Sequence, residues 1–308
     1  MIKAMFFGTP RIAVEILKTL HHLQGVEIVG VISQPDKMRN RHNALVMTPV
    51  KQYCVENNLL CLTPEKINDV YDDIKALSPD IIITCAYGQF IPQRIIDIPV
   101  YKIVNVHASL LPKLRGGAPI HYAILNGYHT TGVTLMHTIK QMDAGNILFT
   151  KQVSIDEQTT YASLLKKLTA LGVQLIQEHF FDLCKTNLVG VVQNPADVTY
   201  AFNIQKAERY INFNQQAWLV NRFVNALNDK PVALMNYQQT DFKVYQIKVS
   251  ERKSSQIPGT IFYHDKQLYV STADFDIQLI QIQLPNKNIS FVRDVLNGKS
   301  IFDHLKKE

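Results

Sequence analysis

The chain has no C-x-x-C pair, no G-x-G-x-x-G, and no run near the roughly 18 apolar residues that a membrane helix needs. Each lack removes a class. Its four cysteines, Cys54, Cys61, Cys85 and Cys184, are too scattered along the sequence for a metal knuckle or a disulfide framework. Reduced thiols are the simplest account, and neither a metal nor a disulfide is expected. Nothing is long enough to span a membrane, and the opening strand reaches Gly8-Thr9-Pro10 too soon for a signal peptide, so a cytoplasmic location is expected. Gly8-Thr9-Pro10 itself reads as a tight strand-to-helix turn. Arg115-Gly116-Gly117-Ala118-Pro119 has no Lys-Ser/Thr behind it, which excludes a P-loop. A flexible helix entry accounts for it better than a phosphate cradle.

What is present describes an ordinary globular chain: 308 residues, 46% hydrophobic and 19% charged, enough for two domains. The net charge is +6, of which residues 1–204 supply +2 (18 Lys+Arg against 16 Asp+Glu) and residues 205–308 supply +4 (14 against 10). An anionic partner fits this excess, and so does a solvated surface.

Ile2–Phe7, Val26–Ile32, Asp80–Cys85 and Lys102–His107 read as buried strands. Gly132–His137 and Asn146–Ser154 follow as further strands. Helices are expected to open at Thr48-Pro49 and at Pro64-Glu65, to run from Ala118 to a stop at Gly127, and to cover Thr160–Lys185. This alternation predicts an α/β fold with a doubly wound, mostly parallel, Rossmann-like sheet. After the turn at Asn194-Pro195-Ala196-Asp197 and a short helix around Gln215–Leu227, five β-prone segments lie between Val232 and Leu284. They suit a small OB-like β-barrel. The domains are therefore read as 1–189, a linker at 190–207, and 208–308.

Asn105 and His107 alternate at the end of the apolar stretch Lys102–His107, so they leave one face of a strand side by side. The carboxyl edge of an open parallel sheet is where ligands bind. A carboxamide beside an imidazole can clamp a carbonyl oxygen that becomes negative during acyl transfer. Asp143, in Met142-Asp143-Ala144-Gly145-Asn146, reads alone as a turn former. Beside an imidazole, a carboxylate favours the charged ring and orients it. Lys37-Met38-Arg39-Asn40-Arg41-His42-Asn43 is a basic run that reads, by itself, as a solvated loop.

The segment Asn105-Val106-His107-Ala108-Ser109-Leu110-Leu111-Pro112-Lys113-Leu114-Arg115-Gly116, followed by Asp143-Ala144-Gly145, resembles the signature of the folate-dependent formyltransferases. Phe7-Gly8-Thr9-Pro10, Gln34-Pro35-Asp36, Thr48-Pro49-Val50-Lys51, Ala86-Tyr87-Gly88, Ile91-Pro92 and Val198-Thr199-Tyr200-Ala201 fit the branch of that family whose acceptor is charged initiator tRNA. The resemblance runs from residue 2 to about residue 300 and is tightest over 102–145. It implies transfer of a formyl group from 10-formyltetrahydrofolate, the co-substrate, to the α-amine of methionyl initiator tRNA; the chemistry needs no metal, and a monomer is expected. Asn105, His107 and Asp143 match the catalytic trio. Ser109, Leu110, Leu111 and Pro112 match the folate segment, with Tyr87 and Gly88 on the same side. Lys37, Arg39 and Arg41 match a tRNA-contacting insertion, and the C-terminal barrel presents a positive surface to the tRNA.

The chain departs from the family pattern at Asn203, where a lysine is usual, at Asn225, where an arginine is common, and at Asn40, in place of a glycine. These changes bear on the tRNA contacts and leave the trio intact. Two alternatives remain open: a formyltransferase with a small amine acceptor such as an amino-sugar nucleotide, and a non-catalytic RNA-binding relative.

Overall fold

The computed structural model describes residues 1–36, 38–39 and 45–307. Strands that are apolar on both faces need cover on both faces, and in such sheets they lie parallel. β1 (Ile2–Gly8) pairs in parallel with β2 (Val26–Ile32). Two-residue strands β3 (Met38–Arg39) and β4 (Leu45–Val46) pair with each other. β5 (Cys61–Leu62), β6 (Ile81–Cys85) and β7 (Ile103–His107) complete the parallel part. β8 (Thr130–His137) and β9 (Ile147–Ser154) add an antiparallel flank. The order across this seven-stranded sheet is β5-β2-β1-β6-β7-β8-β9. This is the mostly parallel sheet that the strand–helix alternation predicts. Every residue of β6 is buried, as a central strand requires.

Helices supply the cover. α1 (Arg11–His21) buries Ala13, Val14, Ile16, Leu17 and Leu20, an apolar stripe at helical spacing. α2 (Pro49–Glu56) opens as its sequence predicts: Thr48 caps it by accepting from Lys51 N at 3.2 Å, with Pro49 as its first residue. Thr48 Oγ1 also lies 2.7 Å from Ser33 Oγ. Thr48→Ala is expected to lower stability by about 1 kcal/mol; a shift of the urea midpoint at constant m-value measures it. An unmoved midpoint makes the cap redundant.

The helix predicted to open at Pro64 starts later. Residues 64–66 are held out of it by Gln89, whose Nε2 donates to Pro64 O and Glu65 O while its Oε1 accepts from Ile67 N. A 3-10 turn at Ile67–Val70 then leads into α3 (Tyr71–Leu77). α4 (Gln93–Ile96), α5 (Pro119–Leu125) and α6 (Tyr161–Leu183) follow. No helix among the described residues is long and apolar enough to cross a membrane.

By its contacts the chain divides into two compact units: 1–119, 130–154 and 165–202 form the first, and 120–129, 155–164 and 203–308 the second. In the second, α7 (Ala217–Leu227) buries Val220, Val224 and Leu227 in a core shared with Phe242, Val244, Leu279 and Ile282. Its strands are β10 (Ala233–Tyr237), β11 (Thr240–Lys253), β12 (Ile261–His264), β13 (Gln267–Val270), β14 (Phe275–Gln283) and β15 (Ser290–Phe291). All pair antiparallel, in the order β10-β11-β14-β13-β12 with β15 beside β14, and α8 (Val292–Asn297) follows. The predicted run of short strands is thus present, with Ser290–Phe291 added.

In the first unit, the carboxyl ends of β1, β6 and β7 emerge together, Gly8 opposite Cys85 and Thr84 opposite Asn105. That edge carries the candidate site.

Candidate active site

Asn105 and His107 occupy one face of β7, with Thr84 of β6 opposite Asn105 and Thr134 of β8 opposite His107. Thr84 Oγ1 donates to Asn105 Oδ1 at 2.9 Å. A hydroxyl can donate or accept, but the carboxylate on the amide's other side only accepts, so the NH2 group is turned away from Thr84. It donates to Asp143 Oδ1 at 3.4 Å. Asp143 Oδ2 accepts from Gly116 N at 2.8 Å and lies 3.7 Å from His107 Nδ1. The other ring nitrogen, Nε2, donates to Leu114 O at 3.0 Å.

A carbonyl oxygen only accepts, so Nε2 carries a hydrogen. With that hydrogen in place, a neutral ring turns the Nδ1 lone pair toward a carboxylate. Two N–H groups, those of Asn105 and Gly116, donate to one carboxylate, His107 Nδ1 stands 3.7 Å from it, and His107 is only 6% exposed. Donors fixed before reaction and shielded from water are what a developing oxyanion needs.

The surrounding loops are held in conformations that side chains seldom adopt. Leu114 has φ +61° and Asp143 φ +50°. Leu114 is tied by its N–H to Thr199 Oγ1 at 2.9 Å. Residues 199–201 run alongside it: Arg115 N donates to Thr199 O at 2.9 Å, Ala201 N to Arg115 O at 2.8 Å, and Ala118 N to Ala201 O at 2.9 Å. Gly116 permits that approach, since its φ is +118° and a Cβ there would lie 2.7 Å from Ala201 O. The glycine-rich stretch is thus a backbone-paired wall of the site.

Ser109–Pro112 leave β7 directly beyond His107. Ser109, 1% exposed, donates from Oγ to Lys113 O at 2.6 Å, and its own carbonyl accepts from Thr134 Oγ1 at 2.7 Å. Thr134 Oγ1 in turn accepts from Leu111 N at 3.2 Å. Leu111 is buried, Leu110 and Pro112 half-buried, and the Leu111-Pro112 peptide is cis.

Tyr87 follows the neighbouring strand β6. Its carbonyl accepts from Thr9 Oγ1 at 3.1 Å and Gln34 Nε2 at 3.2 Å, while its ring packs in the core against Phe7. The hydroxyl is buried without a hydrogen-bond partner, and burial pushes the phenol above its usual range. Gly88, at φ +86°, is the exposed member of that pair.

The basic segment is only partly described. Arg39 lies on β3 opposite Leu45, whereas Lys37 and Arg41 lie outside the described residues. The motifs on either side meet at its base: Lys51 Nζ donates to Asp36 Oδ2 at 2.5 Å and Thr48 N to Asp36 Oδ1 at 3.3 Å.

Three participants escape a linear reading. Thr84 and Thr134 are strand residues whose neighbours across the sheet give them their meaning. Gln193, 5% exposed, reaches the site from far along the chain, donating to Asp143 O at 2.9 Å and Gly145 O at 2.8 Å. A second strand-end histidine, His137, is equally buried, and burial first, then the charge of Lys102, lowers its pKa to about 4. It stays neutral. Among the described residues no group of His, Cys, Asp or Glu side chains could hold a metal ion.

The family model described as formyl transferase matches residues 2–179, and that of the formyl transferase C-terminal domain matches residues 203–300. The methionyl-tRNA formyltransferase of Ureaplasma parvum serovar 3 is 55% identical over 300 residues, which cover 97% of this chain and 98% of that protein. Among solved structures, an N-formyltransferase of Helicobacter canadensis, in complex with folinic acid and dTDP-3-aminofucose, has a TM-score of 0.67 at 20% identity, covering 91% of this chain and 99% of that one. HypX of Aquifex aeolicus in complex with tetrahydrofolic acid has a TM-score of 0.66 at 16% identity, covering 96% of this chain and 47% of that one. At those identities the two structures speak for the fold.

Proposed function

The chain belongs to the formyl transferase family, and from that membership we propose that it transfers the formyl group of 10-formyltetrahydrofolate to the α-amino group of methionyl initiator tRNA. The observation that carries the chemistry is the gathering of Asn105 Nδ2, Gly116 N–H and His107 Nδ1 around the Asp143 carboxylate. The full-length likeness to a methionyl-tRNA formyltransferase carries the acceptor.

The attacking amine must be neutral, a condition that an α-amino group, with a reference pKa near 8, partly meets at neutral pH. Its nitrogen bonds to the formyl carbon, and the carbonyl oxygen becomes an oxyanion. Asn105 Nδ2 has one hydrogen beyond the one that it gives Asp143. His107 Nδ1 stands 3.7 Å from Asp143, too long for a full hydrogen bond. We assign these two groups to the oxyanion, with Asp143 aiming the ring. When the bond to folate N10 breaks, the amine has lost one proton and N10 has gained one. Ser109 to Pro112, with Tyr87 and Gly88 at the next strand end, form the folate side. Lys37, Arg39 and Arg41 grip the tRNA, as does the positive surface of residues 208–308. Residues 1–189 carry the reacting groups, and the segment 190–207, read from sequence as a linker, contributes Gln193 and Thr199 to the support of the site. With a tRNA acceptor we infer a cytoplasmic protein, and we propose that it acts as a monomer.

The test presents purified protein with 10-formyltetrahydrofolate and charged initiator tRNA, free methionine or an amino-sugar nucleotide in parallel. Formylmethionyl-tRNA as the dominant product is expected. Formylation of the small amine with no product on tRNA contradicts the proposal. Arg41→Ala is expected to raise KM for the tRNA several-fold, more at higher salt, with KM for folate unchanged. Equal loss of folate binding assigns the segment to the wrong substrate.

A further inference from the structure

We propose that Gln193 is a positioning residue for formyl transfer, acting through Asp143. Its amide is buried and fully used. Nε2 gives its two hydrogens to Asp143 O at 2.9 Å and Gly145 O at 2.8 Å, while Oε1 accepts from Arg115 Nε at 3.0 Å and Nη2 at 2.8 Å. One side chain thus joins the two segments that hold the Asp143 carboxylate. The first is the turn at Asp143–Gly145, gripped by its carbonyls. The second is Arg115-Gly116, gripped by the guanidinium, and Gly116 N donates to Asp143 Oδ2.

Two features make this more than packing. Asp143 sits at φ +50°, which a residue with a side chain holds only when its surroundings impose it. The contact imposed on its carbonyl comes from Gln193. Arg115 is 5% exposed, and its side-chain hydrogen bonds go to the Gln193 carbonyl, not to a carboxylate. A buried guanidinium fork usually takes a carboxylate bidentately. Here a neutral acceptor takes that place, and the Asp143 carboxylate is left to Asn105 and Gly116, with His107 Nδ1 3.7 Å away. Gln193 touches none of the reacting groups. It sets how far the Asp143 oxygens lie from Asn105 and His107.

The inference rests on the formyl-transfer reading of the site. Wild-type turnover with methionyl-tRNA is therefore measured alongside the variants: its absence overturns that reading, whereas normal wild-type turnover lets the variants judge Gln193 alone. Gln193→Glu keeps the acceptor for Arg115 and sets a negative oxygen against the carbonyls of Asp143 and Gly145. It is expected to lower kcat by about 10²-fold, the scale of an ångström-sized misplacement, with KM for both substrates within about threefold. In an Asp143→Ala background the same change is expected to lower single-turnover rates by less than about threefold, because residues acting through one another are not additive. Wild-type kcat in Gln193→Glu overturns the proposal. So does an equal loss in the two backgrounds, which is what a merely structural role gives. Should Gln193→Glu fail to fold, the pair Arg115→Met with Gln193→Leu removes the buried charge together with its acceptor. That double variant leaves Asp143 O and Gly145 O without their donor, so it is expected to fold with a lowered melting temperature while keeping the kcat loss; wild-type kcat in it overturns the proposal equally.

Discussion

His107→Ala lowers kcat for formyl transfer to methionyl-tRNA by about 10²- to 10³-fold, the loss that follows removal of one preorganised oxyanion donor. Substrate KM values stay within a few-fold, since the ring is buried behind the donors and offers little surface for ground-state binding. The fold survives, because β7 keeps its backbone pairing to β6 and β8. The variant does leave Leu114 O without its side-chain donor, at a stability loss of about 1–3 kcal/mol. Steady-state kinetics beside a thermal melt separate the two effects. A kcat within threefold of wild type removes His107 from the chemistry, whatever the melt shows.

Gly145→Ala is the substitution with the largest expected effect on stability. A Cβ on Gly145 would stand 1.8 Å from His137 O and 2.7 Å from the carbonyl carbon, both backbone atoms of β8. No rotamer relieves such a contact, so the turn must lift from the strand. It is pinned there on two sides, by His137 N donating to Asn146 O at 3.0 Å and by Gln193 Nε2 donating to Gly145 O. Overpacking against backbone costs about 3 kcal/mol, at the upper end of the usual range, which for a unit of this size lowers Tm by roughly 6–12 °C. Because the same movement carries Asp143, kcat falls as well. Gly298→Ala serves as the control: a Cβ there meets only Val295 O at 3.9 Å, an ordinary contact. A Gly145→Ala protein that melts and turns over like Gly298→Ala contradicts the close approach.

What the sequence made legible divides by range. Buried strands such as Ile81–Cys85 announce themselves because central strands carry no polar face, and Thr48-Pro49 announces a helix because its cap is local. Pro64-Glu65 misleads about the start of α3 because Gln89 captures those carbonyls from 24 and 25 residues away. Asn105 and His107 could be paired from strand periodicity alone. Asp143 could not: as a lone Asp-Ala-Gly it reads as a turn, and only the family resemblance placed it with them. The structure places it 3.7 Å from His107. Gln193 and Thr199 were out of reach for a plainer reason. Their hydrogen bonds to Asp143 and Leu114 cross 50 and 85 residues, and an ordinary Gln or Thr near a turn gives no local sign of such a partner. Tyr87 shows the converse: the resemblance set it on the folate side, while its ring is a core group and its carbonyl is the polar atom at the sheet edge.

The most direct measurement is a single-turnover experiment with formyl-labelled 10-formyltetrahydrofolate, enzyme in excess, and methionyl initiator tRNA, run on wild type and His107→Ala at matched occupancy. A formyl-transfer centre at Asn105, His107 and Asp143 predicts that the label moves to the α-nitrogen of the methionyl-tRNA in wild type. It predicts the same product from His107→Ala at a rate about 10²- to 10³-fold lower. Label released as formate, or transferred by both proteins at one rate, contradicts it.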